Sequence, residues 1–107
     1  MTKPQVNGII REAAARYGFE TTEEPGWHGF SEIKSEELNF TFTARETENT
    51  DWAAHRIEQR LTITASVRKM GGNPTVEELL KTAEEIRRGA ELTAELQAAD
   101  LAWTETF

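Results

Sequence analysis

Apolar and polar residues alternate along this chain with two different periods, and each change of period marks an element. Near the start, Val6, Ile9, Ile10, Ala13 and Tyr17 recur at the i, i+3, i+4, i+7 spacing that gathers side chains on one face of an α-helix. Thr2 and Gln5, three residues apart, suit a capping box; Pro4 suits the first turn, and Gly18 suits the left-handed position that closes a helix. Gly8 inside this helix costs about 1 kcal/mol relative to alanine, so docking must stabilise the element.

Pro25-Gly26 breaks the chain, and strand-like sequence follows. Residues 27–35 have mixed parity: Trp27 and Ile33 point one way and Phe30 the other, which a bulge or burial on both faces reconciles. A period of two is then clear in Leu38, Phe40, Phe42 and Ala44, and again in Ile57, Gln59, Leu61, Ile63, Ala65 and Val67. Residues 46–55, between these strands, are polar enough to read as a loop carrying Trp52 and His55. Gly71-Gly72-Asn73-Pro74 ends the sheet, and Thr75 opens a second helix with Glu78 completing a capping box.

That last segment carries two apolar stripes. Val76, Leu79, Leu80, Ala83, Ile86 and Ala90 cluster on one face, whereas Leu92, Leu96, Ala99 and Trp103 fall about 180° away, with Gly89 at the changeover. One stripe suffices to dock a helix on its own domain. The expectation is that the first stripe lies on the sheet and that the second, extended by Phe107, meets a partner protein or a second copy of the chain. The alternative left open is that Gly89 caps a helix that folds back and makes the second stripe intramolecular.

The predicted fold class is α+β: a two-layer sandwich of helix, three-stranded antiparallel sheet and helix (α-β-β-β-α), its long C-terminal helix open to a kink at Gly89. Residues 1–90 form the core domain in this reading, and 91–107 a C-terminal helical extension that is the candidate oligomer or partner contact. At 107 residues the chain is long enough for a single hydrophobic core.

Charge narrows the function classes. Nineteen acids against twelve bases give a net charge of -7, and residues 75–100 hold most of the second half's acids against Lys81, Arg87 and Arg88. A phosphate backbone needs a basic surface, so nucleic acid is disfavoured as a partner. The acidic-surface candidates are Glu77, Glu84, Glu85, Glu91 and Glu95. With no cysteine there is no disulfide, thiolate nucleophile or zinc ribbon. The N-terminal sequence is amphipathic, without a signal-peptide apolar stretch, and no apolar run approaches the roughly 20 residues that span a bilayer, so a cytoplasmic protein with no membrane role is expected.

Candidate chemistry is thin. His28 and His55 have no metal-ligand spacing, and Ser31, Ser35 and Ser66 have no base assigned to them, so no catalytic, cofactor or metal set is proposed. The neighbouring carboxylates Glu77-Glu78 and Glu84-Glu85 diverge by about 100° on a helix and read as a solvated face. Trp27, Trp52 and Trp103 lie near element ends, where tryptophan often anchors binding.

The element order α-β-β-β-α over roughly residues 3–90 resembles the double-stranded-RNA-binding domain. In that family a lysine-rich run at the start of the second helix contacts phosphates; here the run reads Asn73-Pro74-Thr75-Val76-Glu77-Glu78, and its two acids repel a phosphate track. Three functions are therefore carried forward. The first is a small acidic, non-catalytic protein-interaction module, of the kind phages and mobile elements use to inhibit a host factor, with carboxylates able to imitate DNA phosphates. The second is a divergent double-stranded-RNA-binding type using Arg45, Arg60 and Arg68. The third is a ligand carrier or enzyme with a pocket near Trp27, His28, Trp52 and His55.

Overall fold

A computed structural model describes residues 2–25, 31–36, 40–67 and 72–106, and between 24 and 42 it describes backbone only. Helix α1 (Lys3–Arg16) leads into strands β1 (Thr22–Pro25), β2 (Ser31–Glu36), β3 (Phe40–Asp51) and β4 (Arg56–Val67); helix α2 (Val76–Ala99) and strand β5 (Ala102–Thr106) follow. The class is α+β, with antiparallel β2, β3 and β4 between the two helices, as expected. Two strands are added at the edges, so the antiparallel order is β1-β2-β3-β4-β5. A strand after the second helix departs from the order that resembled the RNA-binding domain.

The ends of helix α1 are built as its sequence predicts, whereas Ile9, expected on its apolar face, is exposed. Thr2 N–H donates to Gln5 Oε1 at 2.8 Å and Gln5 N–H to Thr2 Oγ1 at 3.4 Å, completing the capping box. At the other end, Gly18 N–H donates to the Ala15 carbonyl and Phe19 N–H to the Ala14 carbonyl, at 3.0 and 2.9 Å. This paired pattern requires a left-handed residue, and Gly18 has φ +81°. Val6, Ile10, Ala13 and Ala14 are buried on its inner face, with Phe19 just beyond.

Arg88 of α2 clasps this terminus. Its Nη1 donates to the Tyr17 carbonyl at 2.6 Å, and its guanidinium stands 4.9 Å from the centre of the Phe19 ring. A cation here meets the negative end of the α1 dipole and an aromatic face together. A Cβ on Gly18 would lie 2.9 Å from Arg88 Nη1, besides straining the positive φ. Gly18→Ala is expected to lower stability by about 1–3 kcal/mol, measured by urea titration. An unchanged midpoint would mean the clasp does not hold the helices.

The hairpin of β3 and β4 is longer than the sequence suggests. Residues 46–51, read as loop, continue β3 in register, from Glu46 opposite Leu61 to Asp51 opposite Arg56. The reason lies outside the local pattern: Glu46 faces the core side and is buried, and Lys3 Nζ meets its carboxylate at 2.7 Å. An inward charge is tolerated when paired. The turn that remains, Trp52–His55, is closed by Ala54 N–H donating to Asp51 Oδ1 at 3.1 Å and by His55 in a left-handed conformation.

Helix α2 runs through Gly89 without interruption to Ala99, where Asp100 takes a left-handed conformation and reverses the chain. Arg60 pairs with the Asp100 carboxylate, Gln97 Nε2 donates to the Ile63 carbonyl at 2.9 Å, and Leu61 N–H donates to the Leu101 carbonyl at 3.0 Å. Residues 102–106, expected as helix, thus lie along β4 from Arg60 to Arg56 as an edge strand. The C-terminal segment belongs to the layered core: Leu92, Leu96, Leu101 and Trp103 join Ala44, Leu61, Ile63 and the α1 face in one cluster.

Candidate interaction surface

The two stripes of α2 have the opposite fates from those expected. Leu92, Leu96 and Trp103 are 0%, 2% and 4% exposed, enclosed by their own subunit. Ala99 is at the surface, and Phe107 lies outside the described residues. The recognition surface expected on the second stripe is therefore corrected. Its leucines are core residues, because Asp100 turns the chain and β5 brings Leu101 and Trp103 back beside them.

The first stripe is what remains outside. Val76, Leu79 and Leu80 are 73%, 49% and 67% exposed, with Ala83 and Ala90 at the surface and Ile86 half-buried. The inward positions of the same helix are Thr82, Glu85, Gly89, Leu92 and Leu96. These follow helical spacing, so α2 is oriented by its C-terminal half, and its N-terminal half must show the other face. Isolated exposed leucines are ordinary, but three large aliphatic side chains within two turns form a contiguous patch.

The patch sits on a well-formed helix end. Thr75 Oγ1 accepts from Glu78 N–H at 3.1 Å, and Glu77 and Glu78 occupy the first turn, where carboxylates suit the helix dipole. The same two acids leave this N-terminus unsuited to a phosphate.

The acidic candidates are mostly answered by arginine. Glu84 and Glu91 both bond to Arg87, at 2.5 and 3.0 Å, and Glu95 bonds to Arg16 at 2.9 Å. Glu85 is buried, leaving Glu77 exposed on this face. Hydrogen bonding to Arg87 holds the Glu84 carboxyl below its ordinary range, and Arg60 does the same for Asp100. Carboxylates engaged in this way do not form an unbroken phosphate-like track.

The other candidate sites do not converge. Trp52, 74% exposed, and His55 stand at the hairpin tip, while Trp27 and His28 lie outside the described residues. An open depression of about 380 Å³ beside α1 is lined by Lys3, Asn7, Gly8, Arg11 and Glu23. Its cations are engaged, Lys3 with Glu46 and Arg11 with Glu23 at 2.8 Å. Of the sheet arginines, Arg60 is held by Asp100 and Arg68 lies outside the described residues. Among the described residues, no group of three or more His, Asp or Glu is arranged to hold a metal, and no helix is long and apolar enough to cross a membrane. No protein-family model matches this chain, and neither a curated protein nor a solved structure is significantly similar to it.

Proposed function

We propose that this protein is a non-catalytic, cytoplasmic protein-interaction module that docks through the outer face of α2. The supporting observation is the exposure of Val76, Leu79 and Leu80 on a helix whose opposite face is fixed in the core. An amphipathic helix held rigid by its own domain presents anchors at i, i+3, i+4 and i+7 with little ordering cost on binding. Burying a leucine fully is worth about 1.5–3 kcal/mol, so two leucines and a valine supply several kcal/mol of anchoring.

The test is the double substitution Leu79→Lys/Leu80→Lys. Both side chains are exposed, so the melting temperature should stay within about 2–4 °C of the parent, the shift expected from a change near 0.5 kcal/mol. Association, followed by light scattering and by retention of bound protein, should disappear. A variant that associates as the parent does removes the reading.

A further inference from the structure

Strand β5 leaves one side of its backbone unpaired, and we infer that two chains join there, edge to edge and antiparallel, into one continuous sheet about a two-fold axis at Thr104. This goes beyond docking through α2, since it uses a different surface. β5 is the last strand of the sheet, beside β4. Leu61 N–H donates to the Leu101 carbonyl, and Gln59 and Ile57 continue that register opposite Trp103 and Glu105. In an antiparallel pair, residues that bond their partner alternate with residues whose backbone groups point away. Ala102, Thr104 and Thr106 are therefore the outward ones, and their three N–H and three C=O groups have no hydrogen-bond partner among the described residues. The opposite edge is blunted: β1 has four residues and ends on Pro25, which has no N–H to give.

The register points to a second copy as the occupant. Turned about Thr104, the outward residues of one copy meet those of the other: Ala102 faces the partner's Thr106, Thr104 faces the partner's Thr104, and all six groups of each edge are bonded. Moving the axis to Trp103 or Glu105 leaves two such pairs instead of three, and at Glu105 it sets two carboxylates face to face. A parallel alignment staggers each residue between two of its partner's, which places the copies in different registers and cannot close on a two-fold. Side chains agree with the same axis. Thr104 against itself is a favourable β-branched pair on the face away from Trp103. On the other face Trp103, whose Nε1 donates to Glu105 Oε1 at 3.3 Å, meets the partner's Glu105, so the two carboxylates lie diagonal rather than opposite. Both edges are already extended, so pairing adds little ordering cost, whereas a loose peptide would have to be straightened residue by residue.

The sequence contains no cysteine, so introduced thiols report the register. Thr104→Cys alone is expected to cross-link to its copy under mild oxidation, because the axis sets the two positions directly opposite, within disulfide reach. Ala102→Cys and Thr106→Cys should each fail to cross-link alone, since each lies roughly 13 Å along the strand from its own copy, and should cross-link when combined. Light scattering at about 500 mM salt, which screens the -7 on each chain, should give twice 12.1 kDa. Thr104→Pro removes an N–H that points outward, so it should melt within about 2–4 °C of the parent and return the mass to 12.1 kDa. A parent monomeric at high salt, with no Thr104→Cys cross-link, overturns the pairing. Cross-linking through Ala102→Cys alone, or a folded Thr104→Pro that stays dimeric, overturns this register. Should Thr104→Pro not fold, the cysteine variants decide. The α2 reading fails separately: Leu79→Lys/Leu80→Lys leaves β5 untouched and should keep this dimer while releasing any protein held by α2. In the Thr104→Pro background light scattering reports association through α2 alone, and the loss on Leu79→Lys/Leu80→Lys is to be read there.

Discussion

Replacing Leu96 with glutamate is expected to unfold the protein, seen as loss of the cooperative thermal transition at temperatures where the parent is native. Leu96 is 2% exposed and Leu92 beside it is fully buried, in the cluster that joins both helices to the sheet. Truncating such a leucine to alanine costs about 2–5 kcal/mol. Glutamate adds the burial of a carboxyl group, either ionised and unpaired or neutralised at the expense of a shifted pKa. Domains of this size hold a net stability of roughly 5–15 kcal/mol, so the combined loss consumes most of it. Leu80→Glu, on the same helix but 67% exposed, should change stability by no more than about 0.5 kcal/mol. The contrast separates core from surface within one helix. A folded Leu96→Glu variant with the parent's melting temperature would sink the packing described for α2.

That contrast also shows what the sequence could and could not convey. The capping box at Thr2 and Gln5, the Gly18 terminus and the buried Val6–Ile10–Ala13 face were all legible, because each depends on residues within a few positions of one another. The alternation of β4 was legible for the same reason, and Leu61 and Ile63 do face the core. Amphipathicity states that α2 has apolar stripes but not which one meets the sheet. The choice is made by distant partners: the Tyr17 carbonyl for Arg88, the Ile63 carbonyl for Gln97, and Arg16 for Glu95. Thr82, Glu85 and Gly89 obscured the inward stripe further, since its first half contains no large apolar residue.

Two other features were hidden in a similar way. Residues 46–51 looked like loop because the cation that neutralises Glu46 stands at the start of α1. Trp103 looked helical because its spacing from Leu92 and Leu96 continues the 3.6-residue period, while Asp100 breaks that period in the backbone. A signal was present in the residues themselves. Aspartate is among the few non-glycine residues that readily adopt the left-handed conformation, and Trp103-Thr104-Glu105-Thr106 favours a strand. The candidate surface was therefore legible as a surplus stripe but was assigned to the wrong half of the helix.

Strand β5 is the feature on which that reassignment turns, and Trp103→Ala tests it with a large expected effect. Trp103 is 4% exposed, pairs in register with Gln59, and donates through Nε1 to Glu105 Oε1 at 3.3 Å. Removing a buried indole costs about 3–5 kcal/mol, equivalent to a fall in melting temperature of roughly 15–30 °C for a domain of this length. Trp103→Phe, which keeps much of the aromatic volume, should recover at least half of that loss, and Trp52→Ala at the exposed hairpin tip should cost less than about 0.5 kcal/mol. Fluorescence gives an independent reading, since the shorter-wavelength emission of a buried indole should diminish with loss of Trp103 and the long-wavelength emission with loss of Trp52. If Trp103→Ala melts with the parent, β5 contributes nothing to the fold. Leu92 and Leu96 would then lose the cover that makes them core, and the second stripe of α2 would again be the face available to a partner.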